Sequence, residues 1–403
     1  MDDARRMVAL LDREIAELAQ ALALPQPQVE RGLRHLETGN RALQRGDYRA
    51  CIAANRQAIK LLSDWPPPRN NLSLALFFDG QAKDAISMAR QVLSQTPDNL
   101  QALSNAIRFL VWTGQETEAR GLWPRLKAIE PEDASGRLKM AEAAAVLHED
   151  ERVYELLRPL DRSEAMQGAT PGYGRGLQLF LAVAEANLGR RGARARLKRL
   201  EESVSWAGEM LQALEAGRPG PGWAERFPYF HSTELVPKRL MEAWIDLASR
   251  QERMSPKRFR QQMDRFVSRV PQIVLAAEKL IWEEDQPEAG IGMLKIVGTP
   301  AAYAALRRFG LSRAGDDEWR MQALYALLEK GQIGQDDTVR FWGEGEWRVV
   351  QLRLYEISDE PRSEYTPRVA DLLQLGLQAL KQGDDEGAEQ SFRRVLALEP
   401  RAK

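Results

Sequence analysis

A glycine recurs at a fixed interval of 34 residues, and this interval constrains the fold more than any other feature of the sequence. Gly46, Gly80 and Gly114 follow one another at that spacing, and His148 occupies the next position of the series. Two short antiparallel helices and their turns take up about 34 residues. The interval therefore predicts repeated helix pairs, with the glycine in the turn between the two helices of a pair.

Other positions repeat at the same interval. The fifth residue after each turn is compact, as it must be where the second helix passes close to the first. The ninth and twelfth residues share one face of that helix and are mostly apolar. The three sets are Cys51, Ala85, Ala119 and Val153; Asn55, Ala89, Trp123 and Leu157; and Ala58, Val92, Leu126 and Leu160. This agreement predicts an α-solenoid, in which each helix pair buries its apolar face on its neighbours.

The pattern returns near the C-terminus, with Gly383 as the turn residue and with Ala388, Phe392 and Val395 at the same offsets. It resembles the tetratricopeptide repeat (TPR) family over residues 33–166 and 369–401, and a degenerate copy is expected near 177–210. The resemblance implies an all-α fold of stacked helix pairs. It also implies a function in binding another protein, through the face that the first helices of the repeats share.

The remaining sequence suggests five segments. Residues 1–30 form an N-terminal helix, whose leucine and isoleucine spacing suits either a cap on the first repeat or a short coiled coil. The TPR-like superhelix is expected over 31–215, a boundary segment rich in proline, glycine and aromatic residues over 216–237, a helical region over 238–355 and a TPR-like repeat over 356–403.

The boundary segment and the helical region each carry one distinctive feature. Four aromatic residues, Trp223, Phe227, Tyr229 and Phe230, argue against a flexible linker; they predict a segment packed on the solenoid or an exposed aromatic docking strip. In the helical region, the stretch from Gly298 to Leu327 is similar to a HEAT-type helix pair. In such pairs an aspartate near the turn between the helices and a following arginine commonly form a ladder, and Asp317 and Arg320 hold these places.

Charge and composition narrow the function classes. The net charge of −1, with 29% charged residues, gives no global field that would favour nucleic acid or an anionic membrane. No apolar stretch reaches the roughly 18 residues of a membrane span, and Asp2 and Asp3 are unlike the start of a signal peptide. Cys51 is the only cysteine, which excludes an internal disulfide. We therefore expect a cytoplasmic protein without membrane contact.

Nothing in the sequence indicates catalysis. His35, His148 and His231 lie far apart and in no metal-ligand spacing. The sequence also lacks a phosphate-binding glycine loop and a nucleophile elbow. We expect no catalytic residues, no metal site, no cofactor and no enzymatic activity.

The predicted binding residues lie on the first helices of the repeats. Asn40, Asn71 and Asn105 fall on the expected inner face of adjacent repeats. An asparagine amide can donate and accept together, so a row of them can hold an extended peptide backbone. Alternatively, these asparagines cap or bridge neighbouring helices. TPR proteins that clamp a C-terminal carboxylate carry cationic residues around such asparagines, whereas here Leu36, Gln101 and Asn105 fill those places, so the resemblance implies a neutral groove.

Three further residues are expected to give that groove its side-chain selectivity: Phe78, Arg108 and Trp112. The expected partner is a protein or peptide in an extended conformation. The sequence leaves the identity of the partner and the oligomeric state open.

Two basic clusters support the alternative function, a regulatory subunit of a complex that handles nucleic acid or serves in defence. The cationic residues in question are Arg190, Arg191, Arg194, Arg196, Lys198 and Arg199, and Lys257, Arg258 and Arg260. Such clusters could bind phosphates or an acidic partner. They could equally be solvated helix faces whose charge is offset by nearby glutamates.

Overall fold

The computed structural model describes residues 2–161, 171–353 and 365–399. Residues 162–170 of the predicted superhelix and residues 356–364 of the predicted C-terminal repeat lie outside these ranges. The chain divides into two compact units. The first comprises residues 1–332 and 340–349, and the second residues 333–339 and 350–403. The predicted boundary segment 216–237 thus lies inside the first unit.

A helix precedes five helix pairs in the first half of the first unit. It is α1, Asp2–Leu22. The pairs are α2 Gln26–Gln44 with α3 Tyr48–Leu61, α4 Pro66–Phe78 with α5 Ala82–Gln95, α6 Leu100–Trp112 with α7 Glu116–Lys127, α8 Ala134–Val146 with α9 Asp150–Leu157, and α10 Pro171–Asn187 with α11 Gly192–Leu200. These elements confirm the predicted all-α repeat fold.

The recurring glycines lie where the interval predicts, in the turns between paired helices. Gly46, Gly80 and Gly114 have φ angles of 71°, 79° and 78°, a left-handed conformation that favours glycine. His148 adopts the same conformation, with φ of 65°, without being a glycine. The compact residues five positions after these turns are all fully buried. A Cβ atom on Gly39 would lie 2.4 Å from Nδ2 of Asn55, so the first pair could not pack as closely with a larger residue there.

The N-terminal helix caps the first pair. A small core of Ala19, Val29 and Leu62 joins α1, α2 and the end of α3. The surrounding half-buried side chains are Ile15, Leu18, Leu22, Leu24, Leu33, Leu61 and Trp65. From Ile15 onwards, the apolar face of α1 therefore packs on its own chain, as in the cap alternative.

Most of the rest of the first unit is also helical, and part of it packs against the second repeat. It contains α12 Ala207–Glu215, the single turn α13 Ser232–Leu235, α14 Lys238–Ala248, α15 Pro256–Arg269, α16 Ile273–Trp282, α17 Pro287–Val297, α18 Pro300–Gly310 and α19 Asp317–Glu329. A Cβ atom on Gly80 would meet Leu240 of α14 and Val270 at 3.1 Å. Arg239 forms an ion pair with Asp79, and Arg269 donates to the carbonyl of Gly80 at 3.2 Å. The chain thus returns to the turn of the second repeat.

Residues 338–351 form a β-hairpin, which the helical periodicity of 238–355 does not predict. Strands β1 Thr338–Gly343 and β2 Glu346–Gln351 are joined by Glu344 and Gly345, both with positive φ. Buried Arg320 of α19 anchors it: the guanidinium pairs with Asp317 and donates to the carbonyl of Trp342 at 2.8 Å. Alternating Val, Phe and Trp around Glu-Gly is the sequence signal for this hairpin.

The second unit contains one TPR-like helix pair, α20 Pro367–Lys381 and α21 Asp385–Leu398. A Cβ atom on Gly376 would lie 2.6 Å from the ring of Phe392, which explains why the crossing needs glycine. Ala388 and Val395 are buried at the predicted offsets.

Candidate partner-binding surface

A row of side-chain amides crosses the first helices of three consecutive repeats. Nδ2 of Asn71 in α4 donates to Oδ1 of Asn40 in α2 at 2.6 Å. Nε2 of Gln101 in α6 donates to Oδ1 of Asn71 at 3.5 Å. All three side chains are half-buried, so they are linked to one another and still reach solvent. We call Asn40, Asn71 and Gln101 the amide row.

The third member of the row is Gln101, although the sequence pattern had indicated Asn105. Asn105 is fully buried, and its Nδ2 donates to the backbone carbonyl of Asn70 at 3.2 Å. Asn105 therefore bridges α6 and α4, as in the alternative interpretation. Gln101 follows Asn71 by 30 residues, close to the spacing of 31 between Asn40 and Asn71, and this spacing is the signal that could have identified it.

Arg108 is also engaged within the chain. It is buried, forms an ion pair with Glu142 of α8, and lies 4.9 Å from the ring centroid of Trp112. Burial alone would raise the pKa of Glu142, but Arg108 and Lys139 outweigh it and lower this pKa below its usual value. Arg108 and Glu142 are 34 residues apart and so join equivalent places of adjacent repeats.

An aromatic cluster at the ends of α4 and α6 contacts the boundary segment. The ring of Trp112 lies 5.7 Å from Phe77 and 5.2 Å from Phe230. Phe230 in turn lies 5.3 Å from Phe180 of α10. Trp112 is buried by these contacts, whereas Phe78 is half-buried and stacks on Tyr48 at 5.4 Å. Of the three predicted selectivity residues, Phe78 alone retains appreciable exposure.

Asp150, at the start of α9, holds the boundary segment on the repeats. Its carboxylate accepts hydrogen bonds from Arg226 and from the Tyr229 hydroxyl, both at 2.6 Å. Asn187 binds Asp150 at 3.1 Å and also binds both the N–H and the carbonyl of Phe227. Burial, followed by the charge of Asp150, raises the pKa of Tyr229. Sequence reasoning missed Asp150, because a helix-starting aspartate does not reveal partners 76 residues away.

The first basic cluster is largely paired with carboxylates. Arg190 pairs with Glu151 at 3.0 Å, and Arg194 with Glu215 at 2.8 Å. Arg196 is bound by Asp161 at 2.6 Å and by Glu185 at 2.9 Å. Hydrogen bonding from Arg196 lowers the pKa of Asp161 to about 2. Arg191, Lys198 and Arg199 are exposed and have no carboxylate partner among the described residues.

In the second basic cluster, Nε of Arg260 donates to Asp264 at 2.8 Å. Lys257 and Arg258, in the first turn of α15, are exposed and without an ion pair in the part of the chain that the structure describes. A phosphate-binding role for either cluster stays a prediction, and it would depend on these unpaired members.

A cleft of about 490 Å³ lies between residues 224–226, α16 and Arg308. Four of its charged residues are paired within it: Lys279 binds Glu283 at 2.7 Å, and Arg308 pairs with Glu278. Burial raises the pKa of both glutamates. Within the described ranges, no three His, Cys, Asp or Glu side chains are placed to bind a metal ion together. No helix described is both long and apolar enough to cross a bilayer.

Comparison with known proteins agrees with the repeat fold. Residues 76–145 match the family described as tetratricopeptide repeat, which confirms the predicted resemblance to that family over this stretch. None of the curated proteins matches the chain. Two solved structures align with 92% of it, both with a TM-score of 0.25: "Structure of Naa15/Naa10 bound to HypK-THB" at 14% identity and "Crystal Structure of the Yeast Tom70" at 15% identity. The alignment covers 64% of the first of those chains and 92% of the second, and at this TM-score neither supports a functional argument.

Proposed function

We propose that this chain is a non-enzymatic scaffold that holds an extended segment of a partner protein along α2, α4 and α6. The amide row carries this proposal. It brings one half-buried amide from each of three consecutive repeats into a continuous hydrogen-bonded line. An amide group has two N–H donors and an oxygen with two lone pairs, so each member retains capacity for a peptide backbone.

The proposed surface is confined to the N-terminal repeats. Asn105, Arg108 and Trp112 are occupied by contacts within the chain, and Phe230 of the boundary segment covers Trp112. We therefore assign partner contact to Asn40, Asn71 and Gln101, with Phe78 at the edge of the surface. The remaining residues support the helices that present the row. A cytoplasmic location stays a prediction from the sequence.

The test compares proteins captured by the chain and by two variants from a lysate of the source organism, with quantitative mass spectrometry. The test variant is Asn40→Ala, Asn71→Ala, Gln101→Ala. The matched control, Gln57→Ala, Gln91→Ala, Gln95→Ala, removes three exposed amides from α3 and α5. Each hydrogen bond contributes about 0.5–1.5 kcal/mol. The affinity of the test variant for a partner, and the amount of that partner captured, should therefore fall by about tenfold or more.

The control should retain that partner, and both variants should keep the helical circular dichroism of the parent. If the test variant captures the same proteins in the same amounts, the amide row is not the binding surface.

A further inference from the structure

The β-hairpin carries a cluster of tryptophan and arginine side chains on one face. Glu344 and Gly345 form a two-residue turn, so Trp342 and Trp347 lie directly opposite each other. Their rings are 5.4 Å apart at an interplanar angle of 72°, and both are half-buried. The pair forms a fixed aromatic platform on the hairpin.

Two guanidinium groups lie on this platform. Arg313, from the loop before α19, is 4.4 Å from the ring centroid of Trp342 and 5.3 Å from that of Trp347. Arg340 begins on β1, but its guanidinium lies 4.6 Å from the ring centroid of Trp347 on β2. Stacking on an aromatic face fixes a guanidinium and leaves its N–H groups directed outwards.

Both arginines are exposed, and neither forms an ion pair or a side-chain hydrogen bond with any residue that the structure describes. Arg348, on the opposite face of the same hairpin, differs. It pairs with Glu344 at 2.8 Å and with Glu346 at 2.9 Å. Within the described ranges, positive charge is thus neutralised on one face of the hairpin and left free on the other.

The backbone edge of β2 also has no pairing partner among the residues that the structure describes. With a two-residue turn, Gly343 and Glu346 are the hydrogen-bonded pair, so the N–H and C=O groups of Trp342, Trp347 and Val349 point away from the hairpin. On β1 the outward carbonyl of Trp342 is bound by Arg320. On β2 no described residue binds the outward groups of Trp347 and Val349, and Val349 is 74% exposed.

We propose that the outer edge of β2 binds an extended acidic segment of a partner protein as a third strand. Main-chain hydrogen bonds to Trp347 and Val349 hold the segment, and its carboxylates bind Arg313 and Arg340. A second copy of this chain is a poorer occupant, because pairing β2 with β2 would bring arginines of both copies together. This surface does not depend on the amide row.

The test uses the full chain and fluorescence anisotropy of a labelled heptapeptide of alternating Glu and Val. A Lys–Val heptapeptide of the same length is the charge control, and a labelled ten-residue oligothymidylate tests nucleic acid as an alternative occupant. We expect binding of the acidic peptide alone. Arg313→Gln with Arg340→Gln should weaken it at least tenfold, while Arg348→Gln on the other face should change it less than twofold.

Two further variants separate the contributions and guard against misfolding. Val349→Pro removes an outward N–H at an edge position where proline is tolerated, and it should also weaken binding. Charge reversal, Arg313→Glu with Arg340→Glu, should transfer binding to the Lys–Val peptide, a gain that unfolding cannot produce.

Unchanged binding by Val349→Pro would overturn strand addition. If the chain binds oligothymidylate through both arginines and does not bind the acidic peptide, the proposal of an acidic protein partner would be wrong. If sedimentation shows a dimer and Val349→Pro abolishes it, the occupant of the β2 edge would be a second copy of this chain and not an acidic partner.

Discussion

At the scale of single residues, His148 is the one turn residue of the 34-residue series that does not suit its conformation. Its φ of 65° is left-handed, where a residue with a Cβ costs about 1–2 kcal/mol relative to glycine. His148→Gly should therefore raise the free energy of unfolding by about 0.5–1 kcal/mol, after the greater freedom of glycine in the unfolded chain is counted. Urea titration measures the change.

The reciprocal variant is Gly114→Ala, because Gly114 has the same conformation, with φ of 78° and open space around it. It should lower the free energy of unfolding by about 1 kcal/mol. Stabilisation by Gly114→Ala, or destabilisation by His148→Gly, would show that the turn conformation does not set the preference for glycine.

At the scale of elements, the boundary segment depends on Asp150. Asp150→Ala leaves Arg226 and the Tyr229 hydroxyl without their shared acceptor, which should cost about 3 kcal/mol of unfolding free energy. Amide hydrogen exchange over residues 223–236 should also accelerate. The control Asp246→Ala breaks an exposed pair with Arg250 and should cost about 0.5 kcal/mol or less. Equal costs for the two variants would contradict the anchoring role of Asp150.

The elements also show how far the sequence could predict this structure. Turn glycines and compact crossing residues depend on neighbours within one repeat, and these positions were predictable from a spacing of 34. The contacts of the residues on the face that the first helices share were not predictable from this spacing. Arg108 and Trp112 are buried by Glu142 and Phe230, and the contact with Phe230 joins residues more than 100 positions apart. Neighbouring repeats engage Asn105 and Arg108, whereas Trp112 is covered where the chain returns to the repeats.

At the scale of the whole molecule, the first unit joins its two halves through contacts that no single repeat contains. Phe230 covers Trp112, Leu240 and Val270 cover Gly80, and Arg226 binds Asp150. Leu240 and Val270 are buried, and each buried apolar side chain contributes about 1.5–3 kcal/mol, so these two alone amount to about 3–6 kcal/mol. The TPR-like helices are therefore expected to depend on residues 216–332 for their stability.

A chain truncated after residue 215 tests this dependence. It loses the cover of Trp112, the ion pair of Asp79 with Arg239 and the ion pair of Asp150 with Arg226, so its urea midpoint should fall well below that of the full chain. It should also bind a hydrophobic dye, since Trp112 and Phe180 lose Phe230. Within the full chain, tryptophan fluorescence and circular dichroism should report one shared transition for residues 26–332. An unchanged midpoint for the truncated chain would mean that the repeats fold independently, as repeat arrays with only nearest-neighbour contacts do.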